Sequence, residues 1–162
     1  MQKYRIELKW AVIFMAATLV WMIGEKAVGL HSTHIDKHMI YTNFFAIPAI
    51  LIYVLALLDK RKNFYGGVMN YQQGFLTGLW ITLIVTVLSP LTQYIISTVI
   101  TPDYFSTIID HAVSHEIMTE EAARKQFNLQ NYIKQATIGA LIMGVFTSAI
   151  VAIFTRKRVK PS

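Results

Sequence analysis

Cysteine is absent from this chain of 162 residues. Thiolate chemistry, disulfide bonds and cysteine-ligated iron–sulfur clusters are therefore excluded, while the redox compartment stays open, because a chain without cysteine suits either environment. Charge is scarce as well, since charged residues make up only 15% of the sequence against 54% hydrophobic residues. The charges are bunched between long uncharged stretches, and this pattern argues against a soluble domain.

Uncharged runs dominate the sequence instead. Three of the four long runs reach the ~18 to 20 residues that cross the hydrocarbon core of a bilayer. The first run is shorter and needs the charged residues at its ends to extend toward the two membrane surfaces. It contains two tryptophans and no cleavage signal follows it, so a retained span is favoured over a signal peptide. We predict an all-α fold, an integral membrane four-helix bundle in a single domain over residues 1–162, with spans at about 8–28, 40–58, 71–100 and 134–155.

Lysine and arginine are distributed unevenly over the segments between the spans. The two termini and the loop between spans two and three hold ten of the 15 basic residues. The positive-inside rule then predicts a multi-pass protein whose N- and C-termini are cytoplasmic. Because the basic residues lie at the ends of apolar runs, the net charge of +6 reflects the orientation of the protein in the membrane. The expected partner is the lipid bilayer, and no nucleic-acid partner is expected.

The longest stretch outside the spans, between spans three and four, has the pattern of short amphipathic helices. Phe105, Ile108 and Ile109 recur at helical spacing, opposite polar residues. Thr119 is suited to cap a second helix, since two glutamates follow it where they favour the helix dipole. We predict a short amphipathic helical cap over about 103–127, on the outer side, docked by its apolar face.

Small residues recur at every fourth position in the third and fourth spans, among them Gly74, Gly78 and Gly144. Helices in a bilayer approach one another closely where their side chains are small. We therefore interpret these glycines as positions of helix packing within the bundle. A permeation path or a homodimer contact is the alternative use of the same stripes.

All five histidines fall in two short segments on the predicted outer side. His31, His34 and His38 precede the second span, and His111 and His115 lie in the cap. On a helix the first three would lie within about 60° of one another and the last two one turn apart, which suits a divalent metal ion. The alternatives are a cluster that protonation loosens in acid, and separate imidazoles that face water or headgroups.

Glu25 is the one acidic residue that could enter the membrane. A carboxylate at that depth is by default a functional-site hypothesis, for a proton or a cation. Glu25 also lies near the outer end of the first span beside Lys26. Snorkelling of its side chain to the outer surface is therefore the alternative interpretation.

Much of the chain resembles a bacterial family of small four-span membrane proteins that has only a domain-of-unknown-function label. The stretches that carry the resemblance are "GLHSTHIDKHMIYTNFFAIPAILIYVLALLDKRK", "YQQGFLTGLWITLIVTVLSPLTQYI" and "MTEEAARKQFNLQNYIKQATIGALIMGVFTSAIVAIF". The resemblance implies a protein of the bacterial inner membrane. It implies no activity and assigns no role to any residue.

No P-loop, dinucleotide-binding glycine motif or H-E-x-x-H motif is present, which disfavours an enzyme. We predict a small polytopic membrane protein that acts as a non-catalytic partner or assembly subunit, in a homo-oligomer or a larger membrane complex. The alternatives are a small transporter or channel, a membrane enzyme that acts on a lipid or lipid-linked substrate, and a divalent-metal or pH-responsive protein that uses the outer histidines. A divalent metal ion is the one cofactor that the sequence suggests.

Overall fold

The computed structural model describes residues 4–157 and is helical through most of that range. Four helical units are long and apolar enough to cross a membrane, which confirms the predicted all-α fold with membrane-type helices. The α-helices are α1 Arg5–Ala27, α2 Ile35–Tyr41, α3 Ala46–Asn63, α4 Tyr71–Ile95, α5 Tyr104–Ser114, α6 Glu120–Gln126 and α7 Leu129–Thr155. Lys3, Arg158 and Lys160, which enter the count of basic residues above, lie outside the described residues.

Two of the long helical units, the second and the fourth, extend beyond the spans predicted from the apolar runs, whereas the third, Tyr71–Ile100, matches its predicted span. The second unit runs from Ile35 to Asn63, because a 3-10 helix, Thr42–Phe45, connects α2 to α3 without a break. The fourth begins at Leu129, where the Asn128 side chain accepts a hydrogen bond from the Asn131 backbone N–H at 3.0 Å. A polar capping group therefore marks the beginning of α7, which hydropathy alone does not locate.

The long helices pack as a bundle in which α1 and α7 both contact α3 and α4. The contact between α4 and α7 is the most extensive. The main core contains Leu57, Ile81 and Val151, together with Tyr53, whose hydroxyl lies 2.9 Å from the Thr82 hydroxyl. Each long helix thus contributes an inward face, while large apolar side chains on its other faces stay exposed, as membrane-spanning helices require.

Gly74, Gly78 and Gly144 all lie where α4 meets α7. A methyl group added at Gly78 would lie 3.1 Å from the Ser148 Cα atom, and one added at Gly144 would lie 2.5 Å from the Thr82 side chain. A methyl group at Gly74 would meet Met69 at 3.2 Å. The close approach of these two backbones therefore depends on small residues, which is the arrangement that small-residue stripes favour in membrane helices.

α4 passes through Pro90 and then changes its winding. The Thr86 carbonyl, which a proline four residues later leaves without its helical donor, accepts a hydrogen bond from the Ser89 hydroxyl at 2.9 Å. Beyond Ile95 the chain continues as a π-helix, Ile96–Ile100. Such π-helical turns are rare and occur frequently at functional sites.

The end of the bundle near the chain termini contains a buried ion pair. Lys60 Nζ lies 2.8 Å from Glu7 Oε1, and each of these residues is only 2% exposed. Lys60 Nζ also lies 3.8 Å from the centre of the Phe64 ring. Asp59 accepts hydrogen bonds from Lys9 and from the Trp10 indole nitrogen. We call this region the lysine end.

Residues 103–127 form α5 and α6, and we keep the name cap for them. Ile109 and Ala112 of α5 pack with Ala123 of α6 in a small core of their own. Phe105 and Ile108 are half-buried. The Thr119 hydroxyl accepts a hydrogen bond from the Ala122 N–H at 3.3 Å, so it caps α6 as its sequence context indicates.

Candidate metal centre

The chain reverses direction after α1 and returns to the carboxylate that it has just passed. Gly29 has a φ of +78°, the left-handed conformation that glycine adopts most readily. The Leu30 N–H donates to the Glu25 carbonyl at 3.0 Å and the Gly29 N–H donates to the Lys26 carbonyl at 3.0 Å. This pair of bonds is the Schellman motif that ends many helices. It places His31 directly after the turn, beside the last turn of α1.

Glu25 points into the protein and is 4% exposed, so snorkelling does not describe it. Its Oε1 atom accepts a hydrogen bond from the Trp21 indole nitrogen at 2.5 Å. Lys26 turns away from it and donates to the Ile100 carbonyl at 2.5 Å, in the π-helix. The carboxylate is therefore held by an indole on its own helix, and its second oxygen is left for other partners.

Two imidazoles meet that second oxygen. Glu25 Oε2 lies 3.1 Å from His31 Nε2 and 3.3 Å from His38 Nε2. The two rings are 4.9 Å apart, centre to centre. His31 Nδ1 and His38 Nε2 are buried and form no hydrogen bond, although His38 Nε2 lies 3.3 Å from the carboxylate. Buried polar atoms without partners are uncommon in folded proteins and call for an explanation.

A pair of tyrosines extends the cluster toward the cap and α7. The Tyr104 hydroxyl lies 3.3 Å from His38 Nδ1 and 3.2 Å from the Tyr132 hydroxyl. The Tyr104 ring also packs edge-on against the rings of both His31 and His38, with centres 5.5 and 5.2 Å apart. Burial raises the pKa of Tyr104 well above its ordinary value, so the phenol keeps its proton at physiological pH.

A cavity of about 240 Å³ opens beside the imidazoles. Its wall combines the two histidines and two tyrosines with hydroxyl and amide side chains from the end of α4 and the π-helix. The members of that last group are Gln93, Ser97 and Thr101. A second, larger cavity, which Glu25 itself lines, is enclosed almost entirely by apolar residues. Both cavities have mainly apolar walls, and the polar groups are concentrated in the first.

The donor atoms of Glu25, His31 and His38 are spaced as the ligands of a metal ion are. All three lie within 4.8 Å of one another. Two ligands of a tetrahedral zinc ion at bond lengths near 2.1 Å are roughly 3.3 to 3.5 Å apart, close to the 3.1 and 3.3 Å found here. The remaining pair of donors, on His31 and His38, lies within 4.8 Å. This is the one group of three or more such donors within residues 4–157.

The histidines predicted from the sequence as a single metal site separate into two sets. His31 and His38 converge, although His31 lies in a turn and only His38 lies in a helix, so a common helical face does not unite them. His34 is exposed, and its Nδ1 lies 3.0 Å from the Thr33 hydroxyl. In the cap, His111 and His115 stack on each other with ring centres 4.2 Å apart. The group that converges contains Glu25 in place of these three histidines.

Sequence reasoning missed Trp21, Gly29, Tyr104 and Tyr132. Trp21 lies one helical turn before Glu25, a spacing that places two side chains on one face and offered a local signal. Gly29 follows the last turn of α1, where glycine commonly ends a helix. The tyrosines gave no local signal, because Tyr104 reaches His38, and Tyr132 reaches Tyr104, from elements far away in the chain.

The fold and the centre together define a class: an all-α protein of the multi-pass membrane type with a buried carboxylate–imidazole cluster at one end of its bundle. A family model described as a protein of unknown function, DUF4199, matches residues 9–157. The chain belongs to this family. No curated protein and no solved structure gave a significant match to the chain.

Proposed function

We propose that this chain is a non-catalytic, multi-pass subunit of the bacterial inner membrane that binds a divalent transition metal ion through Glu25, His31 and His38. The observation that carries the proposal is the convergence of three buried donors on one point. They come from the end of α1, the turn after it and α2. Isolated buried carboxylates are costly, and a bound cation would offset that cost. The donors belong to one chain, so the site does not depend on a partner chain even if the protein works within a homo-oligomer or a larger complex.

Zinc is the ion that the donor set favours. Two imidazoles with one carboxylate are a known zinc set, and they leave a fourth position for water or another ligand. The same three donors also serve nonhaem iron(II), whereas magnesium and calcium prefer all-oxygen sites. We therefore expect zinc to bind more tightly than manganese, and magnesium to bind weakly. The cavity beside His31 and His38 provides room for the fourth ligand.

The metal proposal is tested by thermal unfolding of the purified protein in detergent, with and without zinc. Zinc at a hundredfold excess over its Kd should stabilise the protein by about 2.7 kcal/mol. Glu25→Gln, His31→Ala and His38→Ala should each remove most of this stabilisation. His34→Ala and His111→Ala are matched controls, because neither side chain belongs to the converging group, and both should respond to zinc as the wild type does.

Two results would contradict this assignment. The first is the same zinc response in the wild type and in His38→Ala. The second is equal stabilisation by zinc and by magnesium, which would indicate a nonspecific cation effect. Loss of the zinc response in His111→Ala instead of His31→Ala would move the site to the cap.

The proposed orientation places both termini and the lysine end in the cytoplasm, and the metal centre at the outer face. The excess of lysine and arginine near the termini and in the 59–64 loop supports it. The chain has no cysteine, so single cysteines at Ser32 and Asn63, both exposed, report the two sides cleanly. An impermeant thiol reagent added to intact cells should label position 32 and spare position 63. The reverse pattern would overturn the orientation.

A further inference from the structure

The two tyrosines give the proposed metal centre a second layer of contacts, and the inference below rests on that centre. Four polar side chains form a continuous chain: Tyr132, Tyr104, His38 and Glu25, at 3.2, 3.3 and 3.3 Å. They come from α7, α5, α2 and α1 respectively. His38 is the central member, since each of its ring nitrogens faces one neighbour.

A neutral imidazole has one N–H, so its two nitrogens have opposite roles. Without metal, the carboxylate of Glu25 favours the proton on Nε2 of His38. Nδ1 then accepts a hydrogen bond from the Tyr104 hydroxyl. A metal ion on Nε2 requires the lone pair of that atom, so the proton must move to Nδ1. Tyr104 must then accept from His38 and donate its own proton to Tyr132.

The phenol of Tyr104 fits both arrangements, because a hydroxyl has one donor and two acceptor positions. Metal-binding histidines almost always donate their second N–H to a partner that fixes the orientation of the ring. Tyr104 is the side chain in that position for His38. We propose that Tyr104 is the positioning residue of the metal centre, and that metal binding reverses the hydrogen bonds of the Tyr132–Tyr104–His38 chain and thereby holds the cap against the bundle.

This contact joins α5 of the cap to the bundle. Ile109 and Ala112 pack within the cap's own small core, separate from the main core. α5 meets the bundle at its first turn, through Tyr104 and through Phe105, whose ring lies 5.1 Å from the Tyr132 ring. At the other end of the cap, the α6 carbonyls of Lys125 and Gln126 accept hydrogen bonds from the Asn131 side chain of α7. Metal affinity and cap docking are therefore linked, and each should strengthen the other by the same factor.

The first test is the zinc affinity of Tyr104→Phe, which removes one oxygen and keeps the ring. We expect the affinity to fall about 10- to 100-fold, as is typical when such a supporting residue is lost. Tyr94→Phe is the matched control, since Tyr94 is exposed on α4 and outside the chain of hydrogen bonds. It should bind zinc as the wild type does. Equal zinc affinity in Tyr104→Phe and the wild type would overturn the inference while leaving the metal site standing.

The second test follows the proton and the cap directly. Nitrogen NMR of ¹⁵N-histidine-labelled protein should show the His38 proton on Nε2 without zinc and on Nδ1 with zinc. Amide hydrogen exchange in residues 104–114 should slow on zinc binding in the wild type, but not in zinc-saturated Tyr104→Phe. A metal-free protein with the His38 proton on Nδ1 would contradict the hydrogen-bond reversal, whatever zinc does. Absence of zinc binding to the wild type would instead overturn the proposed function, and this inference with it.

Discussion

The two ends of α1 each bury a carboxylate, and a different kind of side chain meets it at each end. Glu7 and Glu25 are 18 residues apart, which is five helical turns, so they lie on one face of the helix about 27 Å apart. That separation is close to the thickness of the hydrocarbon core of a bilayer. At the lysine end the partner is a permanent cation, Lys60. At the other end the partners are two imidazoles, His31 and His38.

The difference separates a structural contact from a binding site. Lys60 and Glu7 pair at 2.8 Å, and the ring of Phe64 covers the ammonium group, while the second Glu7 oxygen is buried without a hydrogen-bond partner. In the histidine cluster the unpartnered buried atoms are imidazole nitrogens, a donor type that binds transition metal ions. This cluster also borders a cavity. An ammonium–carboxylate pair ties helices together, whereas imidazoles beside a carboxylate can accept a metal ion.

The largest expected effect comes from breaking the Glu7–Lys60 pair. Lys60→Met removes the cation and leaves the Glu7 carboxylate buried without it, which should lower the free energy of unfolding by about 3 to 5 kcal/mol. Adding Glu7→Gln to this variant should restore most of the loss. Lys62→Met, at an exposed position of the same helix, is the control and should stay within about 0.5 kcal/mol of the wild type.

Chemical denaturation of the purified protein in mixed micelles measures these differences. Zinc affinity at the other end should be unchanged in Lys60→Met wherever the protein remains folded. If that variant is as stable as Lys62→Met, the lysine end is not the structural contact that the comparison assumes.

A smaller effect is expected between the two ends, where α4 meets α7. Gly144→Ala would place a methyl group 2.5 Å from the Thr82 side chain, and such overpacking typically costs about 1 to 3 kcal/mol. Gly139→Ala is the matched control on the same helix, since its added methyl group meets nothing within 4 Å. It should be neutral or slightly stabilising, because alanine favours helix over glycine.

Unfolding of both variants in the same detergent separates packing from helix propensity. We expect Gly144→Ala to be the less stable of the two. Equal stabilities would mean that the close approach of α4 and α7 at Gly144 contributes little to stability. The contacts at the lysine end and the metal end would then hold the bundle together.

The smallest effect is expected at the turn after α1. Gly29→Ala forces a side chain into a left-handed conformation, which costs roughly 1 to 2 kcal/mol, and its methyl group would lie 2.5 Å from the Thr33 hydroxyl. Because this turn returns His31 to Glu25, zinc affinity should fall together with stability. Gly24→Ala, whose added methyl group meets nothing within 4 Å, should leave zinc affinity unchanged and be neutral or slightly stabilising.

Zinc titration followed by calorimetry checks the effect of Gly29→Ala on binding. If Gly29→Ala weakens zinc binding and leaves the Glu7–Lys60 pair intact, the result supports the difference drawn between the two ends of α1. Full zinc affinity in Gly29→Ala would show that the turn does not position His31.

Local patterns in the sequence were enough to predict the helices of the membrane type and the helical cap. Hydropathy depends on the residues within one segment, as does the N-cap at Thr119, so neighbouring positions contain the required information. The limits of the helices were harder to predict, because α2 and the first turn of α7 continue into polar sequence. There, hydrogen bonds such as that from the Asn131 N–H to the Asn128 side chain decide the boundary.

The sequence identified several residues of the candidate site but not their arrangement. The spacing of His31, His34 and His38 suggested a helical face, but a turn at Gly29 rotates His31 inward and leaves His34 exposed. Glu25 stood out in the sequence, yet whether it turned to the surface or to the interior depended on Trp21 and on the two histidines. The metal role of all these residues remains a prediction until zinc binding is measured.

The sequence by itself determined that this chain is all-α with four apolar helices of membrane length, since long uncharged runs have few other stable solutions in a bilayer. Only the tertiary structure decided that Glu25 meets His31 and His38, that Tyr104 of α5 reaches His38, and that Tyr132 of α7 reaches Tyr104. The physical reason is the separation along the chain of the residues involved. Hydrophobic periodicity is a property of one helix, whereas a cluster of donors forms where separate helices bring their side chains together. The return of the chain at Gly29 and the packing of α1 against α3 and α4 set that meeting point.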